Sequence, residues 1–195
     1  MFIVDKAPAS INQALPVPKV IFFDIDDTLS RNGIIATHNQ ATLEALAKTD
    51  IKLVISTGRS KAILPADILA LLEADVLDAI ICMNGQYSFD NKGLISHYPL
   101  SVEQADKIVQ LCQTSQLIHK FDSATHIAWS DENERLRDFN AKTPNSIVDP
   151  LYYQSNPVYQ CSVFFNNQFD KMQDIDFAQD DLKLVHWHHI GADIL

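Results

Sequence analysis

Asp24, Asp26 and Asp27 put three carboxylates within four residues, directly after the apolar run Val20 to Phe23 in KVIFFDIDDTLSRNG. Side chains alternate in direction along extended chain, so Asp24 and Asp26 point the same way if strand geometry persists into the loop. Two like charges held close either share a proton or bind a cation, because their repulsion must be offset. Mg²⁺ is the fitting cation: it is hard, takes oxygen ligands and keeps water or substrate phosphate in its shell. Two later stretches add polar groups suited to the same place, Thr57, Gly58 and Arg59 in VISTGRS, and Asn84 with Gly85 in CMNGQ.

Such a constellation needs elements that deliver three loops to one mouth. Val20 to Phe23 is continuously apolar and suits a strand covered on both faces. NQATLEALAKTD has helical spacing through Leu43, Leu46 and Ala47, and IKLVIS gives a second strand ending at Ser56. ILPADILALLEAD reads as a second helix with Pro65 near its first turn, and AIICMNG as a third strand. Strands and helices alternate as in a doubly wound α/β fold, where ligands bind beyond the carboxyl ends of the strands. From Gly85 onward the pattern changes to α+β. YSFDNKGLISHY reads as a hairpin and SVEQADKIVQLCQTSQ as an amphipathic helix. Short strands near IHKFDS and HIAWS, a charged helix near DENERLRDFNAK and a loop containing Pro144 and Pro150 come next. The strand YQCSVFF, a short helix from Asp170 and strands within LKLVHWHHIGADIL complete the chain. The expected organisation is an irregular lead-in over 1–18, a core over 19–95 and a smaller second domain over 96–195.

Taken in order, DIDDTL, STGR and the following NG resemble the haloacid dehalogenase-like hydrolases. Asp24, Asp26 and Thr28 match the DxDxT signature, VISTGRS is similar to the second motif, and STGR paired with NG is similar to the Cof-type, subclass IIB branch. The resemblance runs from about Lys19 onward. It implies an α/β, Rossmannoid core with a parallel sheet, interrupted after the third strand by an α+β cap of the C2 type. It also implies a Mg²⁺-dependent phosphatase that hydrolyses a small phosphorylated metabolite, a sugar phosphate or similar, through an aspartyl phosphate. Carried over residue by residue, Asp24 is the nucleophile; Asp26 protonates the leaving alcohol and then deprotonates the attacking water. Mg²⁺ is held by the Asp24 carboxylate and the Asp26 backbone carbonyl. Thr28 falls among the phosphate-binding residues, Thr57 offers the hydroxyl that bonds the phosphoryl group, and Gly58, Arg59, Asn84 and Gly85 line the mouth. Asp27 departs from the commoner glycine at its position and has no role beyond shaping the turn.

The family also uses a lysine and a GDxxND-like acidic loop, and neither is read here. Lys171 and Lys183 lie in the cap-like region, FDKMQDIDFAQDD lacks the glycine and strand context, and HWHHIGADIL is similar to the last cap strand. The expectation is a C-terminally truncated member with an incomplete core, its first strand left at a sheet edge, poorly stable alone or self-associating. Weak catalysis follows, and a non-catalytic remnant or binding module stands as the alternative. A phosphoacceptor receiver fits less well, because its acceptor would stand alone after a middle strand.

Composition narrows the remaining classes. The 195 residues are 47% hydrophobic and carry 25 acidic against 15 basic residues, a net charge of -10. That balance opposes binding to nucleic acid or an anionic membrane. The first residues lack the features of a signal peptide and no apolar run approaches a bilayer's span, so a cytoplasmic location is expected. Cys82, Cys112 and Cys161 lack CxxC spacing and read as reduced, mostly buried thiols. His186, His188 and His189 lack partners at metal-site spacing, Trp129 and Trp187 read as packing, and DENERLRD as a solvated helix face.

Overall fold

The structure, a computed structural model, describes residues 16–31, 33–131, 143, 145–164, 181–188 and 191–195. The chain opens with β1 (Val20–Phe23), a short hairpin of β2 (Ser30–Arg31) and β3 (Ile34–Ile35), then α1 (Thr37–Leu46) and β4 (Lys52–Ser56). It continues through α2 (Ala66–Glu73), β5 (Ala79–Cys82), β6 (Tyr87–Asp90) and β7 (Gly93–His97). One sheet has the order β1-β4-β5-β6-β7. Its first three strands are parallel and the last two return antiparallel. Pro65 caps α2, where its missing N–H costs nothing, and Ile68, Leu71 and Leu72 turn one helical face inward. In the expected hairpin the Asp90 carboxylate accepts from the Lys92 and Gly93 amides, while Gly93 adopts φ +135, a conformation only glycine takes readily.

The first strand corrects one expectation. Among the described residues β1 pairs only with β4 and lies at the sheet edge, as expected, but one of its faces lacks the anticipated cover. Ile21 and Phe23 pack on the core, but Phe22 is 61% exposed and Val20 40%. Continuous apolarity says that a strand tolerates burial on two sides; neighbours decide whether it receives it. The two-residue strands β2 and β3 were not anticipated either, being too short to show a period.

Ser101 then starts α3 (Val102–Thr114) with a reciprocal capping box: its side chain accepts from the Gln104 amide, and the Gln104 side chain accepts from the Ser101 amide. Six strands follow: β8 (Ile118–Asp122), β9 (Ile127–Trp129), β10 (Ser146–Val148), β11 (Gln160–Phe164), β12 (Leu184–His188) and β13 (Gly191–Ile194). They form a second sheet in the order β10-β9-β8-β11-β13-β12. The segment expected to be a loop between Pro144 and Pro150 thus holds a strand, β10, which pairs parallel to β9. Its three residues between prolines carry no period of their own; the neighbouring strand edge recruits them. Residues 1–15 of the expected lead-in, all but the first residue of the charged stretch DENERLRDFNAK and the short helix expected from Asp170 lie outside the described residues.

Pairing register sorts the second sheet into two faces. Phe121, Cys161, Val163, Ala192 and Ile194 pack with Ala105, Ile108 and Cys112 of α3 in one apolar cluster. Lys120, Asp122, Gln160, Ser162 and Asp193 occupy the other face, opposite one another across the strands. Contacts tie this polar side to the first sheet's loops: Ser60 Oγ donates to the Ser123 carbonyl at 2.6 Å, and Asn145 to that of Ala62 at 3.0 Å. Among the described residues no helix is long and apolar enough to cross a membrane.

Candidate functional site

The chain leaves β1 into a tight turn around Ile25. That residue is fully buried and its carbonyl accepts from the Leu29 and Ser30 amides, at 3.1 and 2.8 Å. Asp24 and Asp26, on either side, stay exposed. Alternation therefore persists past the end of the strand and keeps both carboxylates at the solvent side of the mouth. Asp27 sits at φ 56, a left-handed conformation that aspartate tolerates better than most residues, which agrees with a turn-shaping part. Thr28 Oγ1 lies 3.5 Å from Asp24 Oδ2, the outer limit of a hydrogen bond.

The second and third loops are laced together by backbone. Thr57 donates to the Ile81 carbonyl at 2.9 Å, Met83 to that of Arg59 at 3.0 Å, and Asn84 to that of Thr57 at 3.2 Å. Thr57 is buried, and its Oγ1 accepts from the Arg59 amide at 3.2 Å, which leaves the hydroxyl proton free to donate. Gly58 is pressed against Asn84: a Cβ there would lie 3.3 Å from Asn84 Oδ1. Met83, Asn84 and Gly85 all have positive φ, so this short turn is strained at two side-chain-bearing residues. Asn84 sends its amide toward the second sheet, to Gln160 Oε1 at 3.1 Å and Asp193 Oδ2 at 3.4 Å.

Arg59 joins the first loop to the second. Its guanidinium donates from Nε and Nη2 to the two oxygens of Asp26, both at 2.7 Å. This forked hydrogen bond holds the Asp26 carboxyl below its ordinary range despite partial burial, and Asp26 in turn raises Arg59. The charge of Asp24 also acts on Arg59. All three loops thus meet, as strand-end geometry requires. In this arrangement, however, Asp26 is fixed as a carboxylate. It is ready to accept a proton, while donating one requires Arg59 to let go.

The site's fit to a cation can be judged from its donors. Asp24 offers an exposed carboxylate and Asp26 a backbone carbonyl, whereas the Asp26 side chain is engaged by Arg59. Among the described residues no group of three or more His, Cys, Asp or Glu side chains converges as a metal cage. That donor set suits Mg²⁺, which is commonly bound by one or two carboxylates plus waters and substrate phosphate, and does not suit a cation needing a full protein cage.

Sequence reasoning missed the residues facing these loops. Gln160 Nε2 donates to the Gly58 carbonyl at 3.1 Å and to Asp122 Oδ2 at 2.7 Å. Asp122, 1% exposed, takes both oxygens to Lys120 Nζ at 2.6 and 2.7 Å, and Ser162 donates to Asp193 Oδ1 at 2.7 Å. The available signal was polar residues at every second position, 120 and 122, then 160 and 162, within otherwise apolar strands.

Comparison with known proteins follows this geometry. The sequence pattern of the haloacid dehalogenase-like hydrolases matches residues 21–193. A protein of Streptococcus pyogenes serotype M6, described as a candidate bifunctional phosphatase/peptidyl-prolyl cis-trans isomerase, is 24% identical over 181 residues. The match covers 91% of this chain and 37% of that protein, so the chain spans little more than a third of the relative's length. Among solved structures, a HAD subclass IIB sugar phosphatase superposes with a TM-score of 0.73 at 23% identity, covering 90% of this chain and 69% of its own. A HAD-superfamily phosphatase from Bacteroides thetaiotaomicron gives 0.72 at 18%, over 93% and 69%. A Streptococcus mutans protein gives 0.75 at 15%, over 92% and 70%. At these identities the likeness is one of fold: a Rossmann-like core with a parallel sheet, shared over about 70% of the neighbours' length.

Proposed function

The chain belongs to the haloacid dehalogenase-like hydrolases, and from that membership we propose that it serves a phosphatase acting on a small phosphorylated metabolite, a sugar phosphate or similar. The observation that carries this reading is the meeting of three strand-end loops, the first bearing an exposed Asp24 and joined to the second through the Arg59–Asp26 pair. Asp24 attacks phosphorus and holds the phosphoryl group as an aspartyl phosphate. Thr57 donates its free hydroxyl proton to a phosphoryl oxygen, and Thr28, Gly58, Arg59, Asn84 and Gly85 shape the phosphate side of the mouth. Once Arg59 releases it, Asp26 takes up a proton from solvent and passes it to the leaving alcohol, then takes the proton of the attacking water as a carboxylate. Asp24 and the Asp26 carbonyl would hold Mg²⁺, which offsets the repulsion between a carboxylate nucleophile and a phosphate dianion.

In this proposal residues 19–95 form the catalytic core and 96–195 a cap whose polar face selects the substrate. The bonds from Gln160 to the Gly58 carbonyl and from Asn84 to Gln160 support it, because they hold that polar face against the loops that would bind the phosphate. The sugar phosphatase among the structural neighbours supports the substrate class. The test is Mg²⁺-dependent release of phosphate from an aryl phosphate, compared with Asp24→Asn. Turnover that needs Mg²⁺ and is lost in the variant supports the proposal; equal activity in both overturns the nucleophile assignment.

A second reading, a binding module without turnover, draws on the locking of Asp26 by Arg59. It predicts Mg²⁺-dependent phosphate binding by calorimetry with no hydrolysis.

A further inference from the structure

Gly58 and Arg59 share one peptide unit, and both of its polar ends are held. Its carbonyl, that of Gly58, accepts from Gln160 Nε2 of β11 at 3.1 Å, and its N–H, that of Arg59, donates to Thr57 Oγ1 at 3.2 Å. The second bond decides what the Thr57 hydroxyl can do, because an oxygen that accepts from the backbone keeps its one proton for another partner. A flipped peptide would reverse this: the carbonyl would turn toward Thr57 and draw that proton to itself. Glycine ahead of the peptide makes the flip cheap, since no Cβ restrains its ψ.

Gln160 is 2% exposed and its amide is fully used: Nε2 also donates to Asp122 Oδ2 at 2.7 Å, and Oε1 accepts from Asn84 at 3.1 Å. The direction of that amide is fixed by its neighbour. Asp122 takes Lys120 Nζ on both oxygens and, as a carboxylate, presents only acceptors, so the NH₂ end of Gln160 must face it. The same NH₂ end then meets the Gly58 carbonyl.

We propose that Gln160 is a positioning residue for the phosphoryl-binding hydroxyl: from the second sheet it fixes the Gly58–Arg59 peptide, and through that peptide it aims the Thr57 proton at a phosphoryl oxygen. This deepens the phosphatase reading and rests on its assignment of Thr57 to the phosphoryl group. Gln160 acts only through the peptide. Lys120 and Asp122 act one step further back, by setting which end of the Gln160 amide faces Gly58.

The test is a double-variant cycle of Gln160→Met and Thr57→Val, read by calorimetry as the Kd of inorganic phosphate at saturating Mg²⁺ on the whole chain. Thr57→Val should weaken binding by about tenfold or more, the worth of a hydrogen bond to a charged oxygen. Gln160→Met should weaken it by about threefold or more, because only molecules with the peptide in its present orientation bind well. In the Thr57→Val background Gln160→Met should cost less than about twofold, since the proton it aims is gone. Effects that multiply, or wild-type affinity in Gln160→Met, overturn the proposal, as does a wild-type chain that binds no phosphate.

Amide hydrogen exchange separates positioning from general loosening. In Gln160→Met the Arg59 amide should exchange faster by about threefold or more, while the Thr57 amide, which donates to the Ile81 carbonyl at 2.9 Å, keeps its rate. Asp122→Asn is the second variant: nearly isosteric, it presents an NH₂ to Gln160, turns that amide round and should give the same signature at Arg59. Equal acceleration of both amides in both variants means a structural part only and overturns the proposal. Phosphate binding needs no turnover, so the two readings fail separately. The predicted cycle in a chain that hydrolyses no aryl phosphate supports the positioning of Thr57 and counts against turnover; multiplying effects in a chain that does hydrolyse it overturn the positioning and leave the phosphatase reading standing.

Discussion

The acidic loop after β1 and the polar face of the second sheet both concentrate charge, but the first leaves it in water and the second buries it. Asp24 and Asp27 remain exposed, and Asp26 is matched by one arginine reaching from the next loop. Lys120 and Asp122 are nearly inaccessible and neutralise each other, with Gln160 taking up a remaining lone pair. An exposed carboxylate keeps its hydration and can exchange it for a cation and a phosphoryl group. A buried ion pair has lost hydration already and survives only if its partners stay in place. In the proposed function the first region receives phosphate and cation, and the second holds its own geometry against the loops.

That contrast can be broken at several points. The largest effect is expected at the loop: Asp26→Asn should lower kcat for an aryl phosphate by about 10²–10⁴-fold, the range for a lost acid–base group. Chemical denaturation should show a loss of stability no larger than that of Arg59→Met, which breaks the same ion pair. At the buried pair the signs reverse. Lys120→Met leaves Asp122 as an uncompensated buried charge and should cost about 3–5 kcal/mol in urea unfolding, while Lys120→Met with Asp122→Leu should recover much of it. A double variant as unstable as the single one would mean that the carboxylate is not what the lysine serves.

A smaller effect concerns pH. Arg59 holds the folded Asp26 carboxyl below its unfolded value, so the stability it contributes is complete above the unfolded carboxylate range and fades as pH falls through the folded pKa. Arg59→Met should remove that contribution at neutral pH, and the wild-type and variant stability curves should converge in acid. Curves that stay parallel down to strong acid would place Arg59's contribution elsewhere. The smallest effect belongs to the bare face of β1: Phe22→Lys should change unfolding stability by no more than about 0.5 kcal/mol. It should also weaken any concentration-dependent association seen by light scattering. A large destabilisation would mean that the exposed face is covered after all.

What could be read in the residues was local. An apolar four-residue strand opening into DxD, a β-branched strand closing on STGR, and a third ending in NG carry their loops with them, so the order of the core and the meeting place of its ends were legible. Long-range features were not. Arg59 finds Asp26 across 33 residues, and nothing in either stretch names the other. Whether Phe22 is covered depends on what lies beside β1, not on its own sequence. β10 exists because β9 has a free edge, and three residues between prolines cannot show that in advance. Lys120 and Asp122 did show their alternation, yet their burial arises only when the second sheet closes over Gly58 and Asn84.

The central claim is that Asp24 takes the phosphoryl group, and trapping the intermediate tests it most directly. The chain, incubated with Mg²⁺ and an aryl phosphate and quenched with borohydride, should yield a reduced acyl phosphate, homoserine, at position 24 on peptide mass mapping. None should appear at Asp26 or Asp27. Phosphate release with the reduced residue elsewhere, or with none at Asp24, would contradict the account.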